Sequence, residues 1–258
     1  MIASEPVFST AVPSGNGHLL DLRLRDNVWQ VHFLSEPRAN PQPLWFNFLL
    51  TGLGRRRVRL VWDCADITLG DCAQLHTVRP VLREDDEDWA RVSRVKVVNT
   101  PDGRRQVVFE SAGPCERLQA AFCFPYSPED LQATLDELGK AWQRTVIGLT
   151  GKGRELIRLR LGGDVQGPRK GLYLTARQHC AEVPGGLALD GILRYLASEA
   201  PEAVRFRDEF DCWVVPFVDL DGASEGDYGK DSLPWDFNRA WEVLAMRPEV
   251  HAIQRDLR

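Results

Sequence analysis

Two compact apolar runs constrain this chain more than any other feature. Gly171-Leu172-Tyr173-Leu174-Thr175-Ala176 and Asp211 to Val218 (DCWVVPFV) each read as a buried strand. Between them Leu187, Leu189, Ile192, Leu193 and Leu196 recur at helical spacing. Strand, helix, strand at this separation is a βαβ unit, because parallel strands need a crossover and the crossover is usually a helix. A parallel sheet needs helices on its faces, so this part of the chain reads as α/β. In open sheets of that class ligands gather beyond the carboxyl ends of the strands.

The first 115 residues have a different rhythm. Leu20 to Arg25 alternates with period two and Val28 to Phe33 nearly so; apolar runs follow at Leu44–Leu50, Val58–Trp62, Val92–Val98, Gln106–Glu110 and Leu118–Phe124. Gly15-Asn16-Gly17, Pro41-Gln42-Pro43, Gly52-Leu53-Gly54 and Pro101-Asp102-Gly103 punctuate them. Many short strands between turn residues, with no helical pattern, predict an antiparallel β-sandwich over residues 1–117. Asp102-Gly103 has the composition of a hairpin turn. Arg55, Arg56 and Arg57 read as a turn between two apolar segments. Helical signals begin at Ser127-Pro128-Glu129-Asp130, which offers an N-cap, a proline at the first helical position and acids in the first turn. The expected plan is an all-β N-terminal domain followed, over 118–258, by a partial, mixed or parallel α/β/α sheet.

Composition excludes several classes. A formal net charge of −5 argues against nucleic-acid binding, which usually needs a basic face. No segment approaches the roughly 18 apolar residues of a membrane span. The N-terminus has neither the basic start nor the apolar core of a signal peptide, so a cytoplasmic location is the expectation. The six cysteines (Cys64, Cys72, Cys115, Cys123, Cys180 and Cys212) form no CxxC pair, so neither a disulfide framework nor a thiolate zinc site is indicated.

Reactive residues collect after the two buried strands. His179 and Glu182 lie three apart at a strand–helix turn, where an imidazole and a carboxylate can reach one cation; zinc accepts such a mixed set. The second cluster is the long segment Val218 to Trp241, VDLDGASEGDYGKDSLPWDFNRAW. Loops of that length are functional or disordered. Asn238 and Arg239 suit recognition of a carboxylate, an arginine fork with an amide beside it. The plainer reading pairs Asp236 with Arg239 in a turn. Gly148 to Gly153 lacks the spacing of a phosphate loop.

Taken together, LTARQHCAEVPGG and the ordered series VDLDG, EGDYGKDS and DFNRAW resemble the zinc metallocarboxypeptidase family, in its cytosolic-carboxypeptidase-like branch. FCFPYSPEDLQ resembles the join between sandwich and catalytic domain in that branch. The resemblance implies a Zn2+ enzyme that hydrolyses the C-terminal residue of a peptide or protein through a zinc-activated water. It implies that His179 and Glu182 are metal ligands and that Asn238 and Arg239 hold the substrate carboxylate. The family's upstream arginine falls at Gly229, a departure, with Lys230 adjacent as a substitute for the oxyanion or carbonyl contact. Asp221 and Gly222 match a structural step. A third ligand and a general base are not found; His251 is a poor candidate for the former. On this comparison the chain reads as truncated inside the catalytic domain, with an exposed half-sheet favouring self-association. A non-catalytic binding or scaffold fragment with an incomplete metal site is the alternative.

Overall fold

The computed structural model describes residues 5–63, 65, 74–161, 169–242 and 246–258; Cys64 and Cys72 lie outside them. The chain divides into two compact units. One comprises residues 1–125 with Glu225–Asp227, the other residues 126–224 and 228–258.

The first unit is built from strands β1 (Val7–Ser9), β2 (His18–Arg25), β3 (Val28–Leu34), β4 (Asn47–Trp62), β5 (Val81–Glu84), β6 (Ala90–Arg91), β7 (Lys96–Asn99), β8 (Arg105–Glu110) and β9 (Cys115–Ala121). The two apolar runs expected on either side of Gly52-Leu53-Gly54 are one bent strand, β4. Gly52, Gly54 and Arg55 take positive φ there, at 74°, 63° and 51°, and the pairing with β9 shifts register between Thr51 and Arg56. This bulge lets the first half of β4 pair with β1 and β9 and the second half with β3 and β8. Arg55–Arg57 are therefore part of a kinked strand, not a chain reversal. β3 and β4 pair in parallel, the exception in an otherwise antiparallel arrangement.

The alternating inward residues bury Phe33, Phe46, Phe48, Trp62 and Phe109. Most of their rings meet edge-on, with Phe33 and Phe48 centroids 4.7 Å apart, while Phe46 and Phe109 stack; such contacts are worth about 0.5–1.5 kcal/mol per pair beyond area burial. The β7–β8 turn closes through Gly103 N–H to Thr100 O, with Gly103 at φ 84°.

The second unit opens with α1 (Pro128–Leu138), capped by Ser127 and Asp130 in a reciprocal capping box. Then come β10 (Trp142–Leu149), β11 (Glu155–Leu161), β12 (Lys170–Thr175), α2 (Val183–Ala197), α3 (Pro201–Glu209), β13 (Phe210–Val215), α4 (Leu220–Glu225) and α5 (Pro248–Asp256). The sheet order is β10-β11-β13-β12, with β12 and β13 parallel and Thr175 opposite Val215. The βαβ unit is present, with α3 as an extra helix in its crossover. On α2 the buried positions are Val183, Gly186, Leu189, Leu193 and Leu196, while Leu187 and Ile192 point outward. At 100° per residue those two leave the stripe set by 189, 193 and 196. Among the described residues no helix is long and apolar enough to cross a membrane.

The turn between β10 and β11 is held by two acids from distant elements. Asp221 accepts from Thr150 Oγ1 (2.8 Å), Lys152 N (2.9 Å) and Arg154 Nη1 (2.6 Å). Glu249 accepts from Gly151 N (2.8 Å), but its Oε2 is buried without a partner. Burial raises the Glu249 pKa above the usual carboxylate range, and nearby Asp221 adds to it. A carboxyl whose pKa is raised by folding favours the native state when protonated; that advantage is lost as pH rises from the unfolded value through the folded one. Glu249→Gln is accordingly expected to raise stability at pH 7 by about 1 kcal/mol, the order of cost of a buried unsatisfied polar atom. In urea unfolding the gain should shrink toward pH 4; a destabilised variant at both pH values would contradict it.

Candidate metal centre

β12 ends at Thr175, and the chain turns at once. Ala176 N–H donates to Val215 O, Val218 N–H to Ala176 O and Asp219 N–H to Arg177 O, so the parallel pairing runs on past both strand ends. Arg177 sits at φ 58° and is 5% exposed. Its Nε donates to Cys180 O (2.5 Å) and its Nη1 to Tyr126 O (2.8 Å), and its guanidinium lies 4.9 Å from the Phe217 ring centroid. The turn carrying His179 is thereby pinned from inside.

His179 has a carboxylate on each ring nitrogen. Nδ1 is 2.8 Å from Glu182 Oε1, and Nε2 is 3.1 and 3.2 Å from the two oxygens of Asp236. A neutral imidazole carries one N–H. With Nε2–H donating to Asp236, Nδ1 would present a lone pair to a carboxylate oxygen. Two species resolve that clash: an imidazolium, or a cation shared by Nδ1 and Glu182. Burial works against the imidazolium, but its hydrogen bonds to Glu182 and Asp236 prevail and the His179 pKa is raised. For Asp236 burial pulls upward, yet donors from Asp231 N–H, His179 and Asn238 N–H leave its pKa lowered. The side chains of His179 and Asp236 are 10% exposed and that of Glu182 58%, so the open side of the pair is at Glu182. An imidazole nitrogen and a carboxylate oxygen converging with one accessible side fit two positions of a zinc site. A carboxylate fixing the far ring nitrogen is the usual support for such a ligand. Among the described residues no group of three or more His, Cys, Asp or Glu could hold a metal ion, and His251 is exposed on α5.

Asp236 is the residue that sequence reasoning misplaced. It pairs with His179, not with Arg239, whose Nη1 donates to Asn238 O (3.2 Å). The cause is the 3-10 turn Phe237–Arg239, capped by Asp236 accepting from Asn238 N–H (2.8 Å). Phe237 is buried among Ile147, Val215, Val218, Val250 and Ile253, which throws Asn238 and Arg239 outward; both are exposed. The HxxE spacing gave no hint of Asp236, because its partner is 57 residues away.

The Gly229 departure has a steric reason. Gly229 has φ 86°, and a Cβ there would lie 2.7 Å from both Asp219 Oδ2 and Cys180 N. Gly222 is equally confined, 2.5 Å from Asp219 Oδ2 and 2.6 Å from Cys180 Sγ, in keeping with a structural role. Lys230, next in the chain, is half-buried.

Residues 130–243 match the zinc carboxypeptidase family (Peptidase_M14). That segment is similar to the catalytic domain of a family whose members are zinc carboxypeptidases. The chain is similar to the cytosolic carboxypeptidases. It is 23% identical over 96% of its length to cytosolic carboxypeptidase 6 of Caenorhabditis elegans and 25% identical over 95% to that of Homo sapiens. It covers 57% and 51% of those two relatives, about half their length. Among solved structures, a metallo-carboxypeptidase from Burkholderia cenocepacia superposes over 98% of this chain and 67% of its own, with TM-score 0.81 and 22% identity. One from Pseudomonas aeruginosa, in complex with (2-guanidinoethylmercapto)succinic acid, gives 0.78 at 23% identity, over 97% of this chain and 66% of its own. These likenesses establish the fold.

Proposed function

We propose that this chain carries the zinc-binding half of a metallocarboxypeptidase centre, removing a C-terminal residue from peptides or proteins in the cytosol. The observation that supports this most is the convergence of His179 Nδ1 and Glu182 Oε1 at 2.8 Å, with Nε2 already committed to Asp236. Bound there, zinc would polarise the scissile carbonyl and lower the pKa of water. His179 and Glu182 hold the metal in this reading, and Asp236 keeps the imidazole oriented and its Nδ1 free of a proton. Asn238 and Arg239 receive the substrate's terminal carboxylate; among the described residues no side-chain carboxylate pairs with Arg239. Lys230 offers a positive charge for the developing oxyanion, as a point charge and not a fork. No residue is assigned as general base. Self-association through the second unit is a further expectation, tested by sizing chromatography.

If Arg239 reads a free carboxylate, the zinc-loaded full chain should release the last residue of a free-acid peptide at least about 100-fold faster than that of its C-terminal amide, because the amide removes a bidentate charge-assisted pair. Arg239→Ala should abolish the difference. Zinc bound with no release from either peptide would favour the non-catalytic alternative. Equal release from both would remove Asn238 and Arg239 from the site.

A further inference from the structure

We propose that Arg247, outside the family-matched segment 130–243, is a positioning residue that holds Asp236 against His179; the inference rests on the reading of His179 as a metal ligand. Asp236 sits at the end of residues 226–236, which form no helix or strand. Two backbone amides fix its carboxylate, Asp231 N–H to Oδ2 (2.7 Å) and Asn238 N–H to Oδ1 (2.8 Å). Asp231 lies within that segment and Asn238 in the 3-10 turn that follows it. Ala181 N–H donates to Tyr228 O near the start of that segment (3.2 Å), and Arg247, the N-cap residue of α5, holds its end.

Its guanidinium engages the loop on both sides of Asp236. Nε donates to Trp235 O (2.6 Å), and Nη2 donates to Ser232 O (3.0 Å) and Ser232 Oγ (2.8 Å). Its carbon centre stands 4.2 Å from the Phe237 ring centroid. Phe237 in turn packs against Val250 and Ile253, both on α5. One side chain therefore joins Ser232, Trp235 and Phe237, the residues flanking Asp236, to the helix. The planar fork with a stacked face is arginine chemistry; a lysine has the charge without the fork or the planar face.

Loss of a group that orients a metal-bound histidine costs typically about 10–100-fold in metal affinity. The experiment is a Zn2+ titration in competition with a chromophoric chelator, on the full chain and on Arg247→Ala, Arg247→Lys and Arg255→Ala. Arg255 is the control, since it staples the same helix to β10 through Ile147 O (2.8 Å). Amide exchange at Asp231 and Asn238 is read in parallel. The expected result is a 10–100-fold weaker affinity and faster exchange at both amides in Arg247→Ala, intermediate values in Arg247→Lys, and wild-type values in Arg255→Ala. Unchanged affinity and exchange in Arg247→Ala would overturn the inference, as would an equal loss in Arg255→Ala. If Arg247→Ala does not fold, Arg247→Lys decides by the same two measurements. If the wild-type chain binds no zinc, the reading of the metal centre fails, and amide exchange alone decides whether Arg247 holds Asp236.

Discussion

His179→Ala is expected to lower zinc affinity by more than about 100-fold, beyond the loss typical of an orienting partner. The substitution removes the ring nitrogen facing Glu182 and leaves a single exposed carboxylate, which alone is a poor zinc site. It should also change the pH dependence of the metal-free protein. The His179 pKa is raised in the fold: burial opposes charge, but Glu182 and Asp236 more than offset it. A histidine with a raised folded pKa contributes stability that is fully present below its unfolded value, near 6.5, and is lost as pH climbs through the folded value. Asp236, with a lowered pKa, contributes above its unfolded carboxylate value and loses that as pH falls through the folded one. The wild type should therefore lose a stability increment as pH rises above about 6.5 that His179→Ala does not lose. Zinc affinity should rise over the same range as the proton leaves Nδ1. Urea unfolding and chelator competition across this range check both, and identical profiles for the two proteins would contradict the pairing.

Gly229→Ala is expected to cost about 3 kcal/mol of stability. A left-handed φ penalises any side chain by about 1–2 kcal/mol, and overpacking adds typically 1–3. Here the obstacle includes backbone: the new Cβ would fall 2.7 Å from Cys180 N as well as from Asp219 Oδ2. Cys180 N is backbone and follows His179 directly, so relief of that clash would move the candidate ligand. Gly229→Arg, which restores the residue implied by the resemblance, should do worse. A urea midpoint within error of wild type for Gly229→Ala would contradict the confinement.

Much of this was legible in the sequence because it depends on local pattern. The capping signal at Ser127, the apolar runs of β12 and β13, and the turn at Gly103 are each set by residues within a few positions. What the sequence hid depends on distant partners. The bend of β4 arises because its two halves pair with different strands, and Arg55 tolerates a positive φ that its composition does not advertise. Leu187 and Ile192 look like core residues in a list of leucines, yet the helical angle turns them outward. Asp236 was paired with the nearest cation along the chain. The buried Phe237 rotates the turn so that the aspartate meets His179 instead. Arg247 carried no motif at all; its partners are three main-chain and side-chain oxygens and a ring.

A cation between His179 Nδ1 and Glu182 would be held by nitrogen and oxygen only, although Cys180 is the next residue. X-ray absorption at the zinc edge of the zinc-loaded full chain tests this most directly. The expected scatterers are nitrogen and oxygen at about 2.0–2.2 Å, with an imidazole contribution that vanishes in His179→Ala. A scatterer at about 2.3 Å, the distance of a thiolate sulfur, or a spectrum unaltered in His179→Ala, would contradict it.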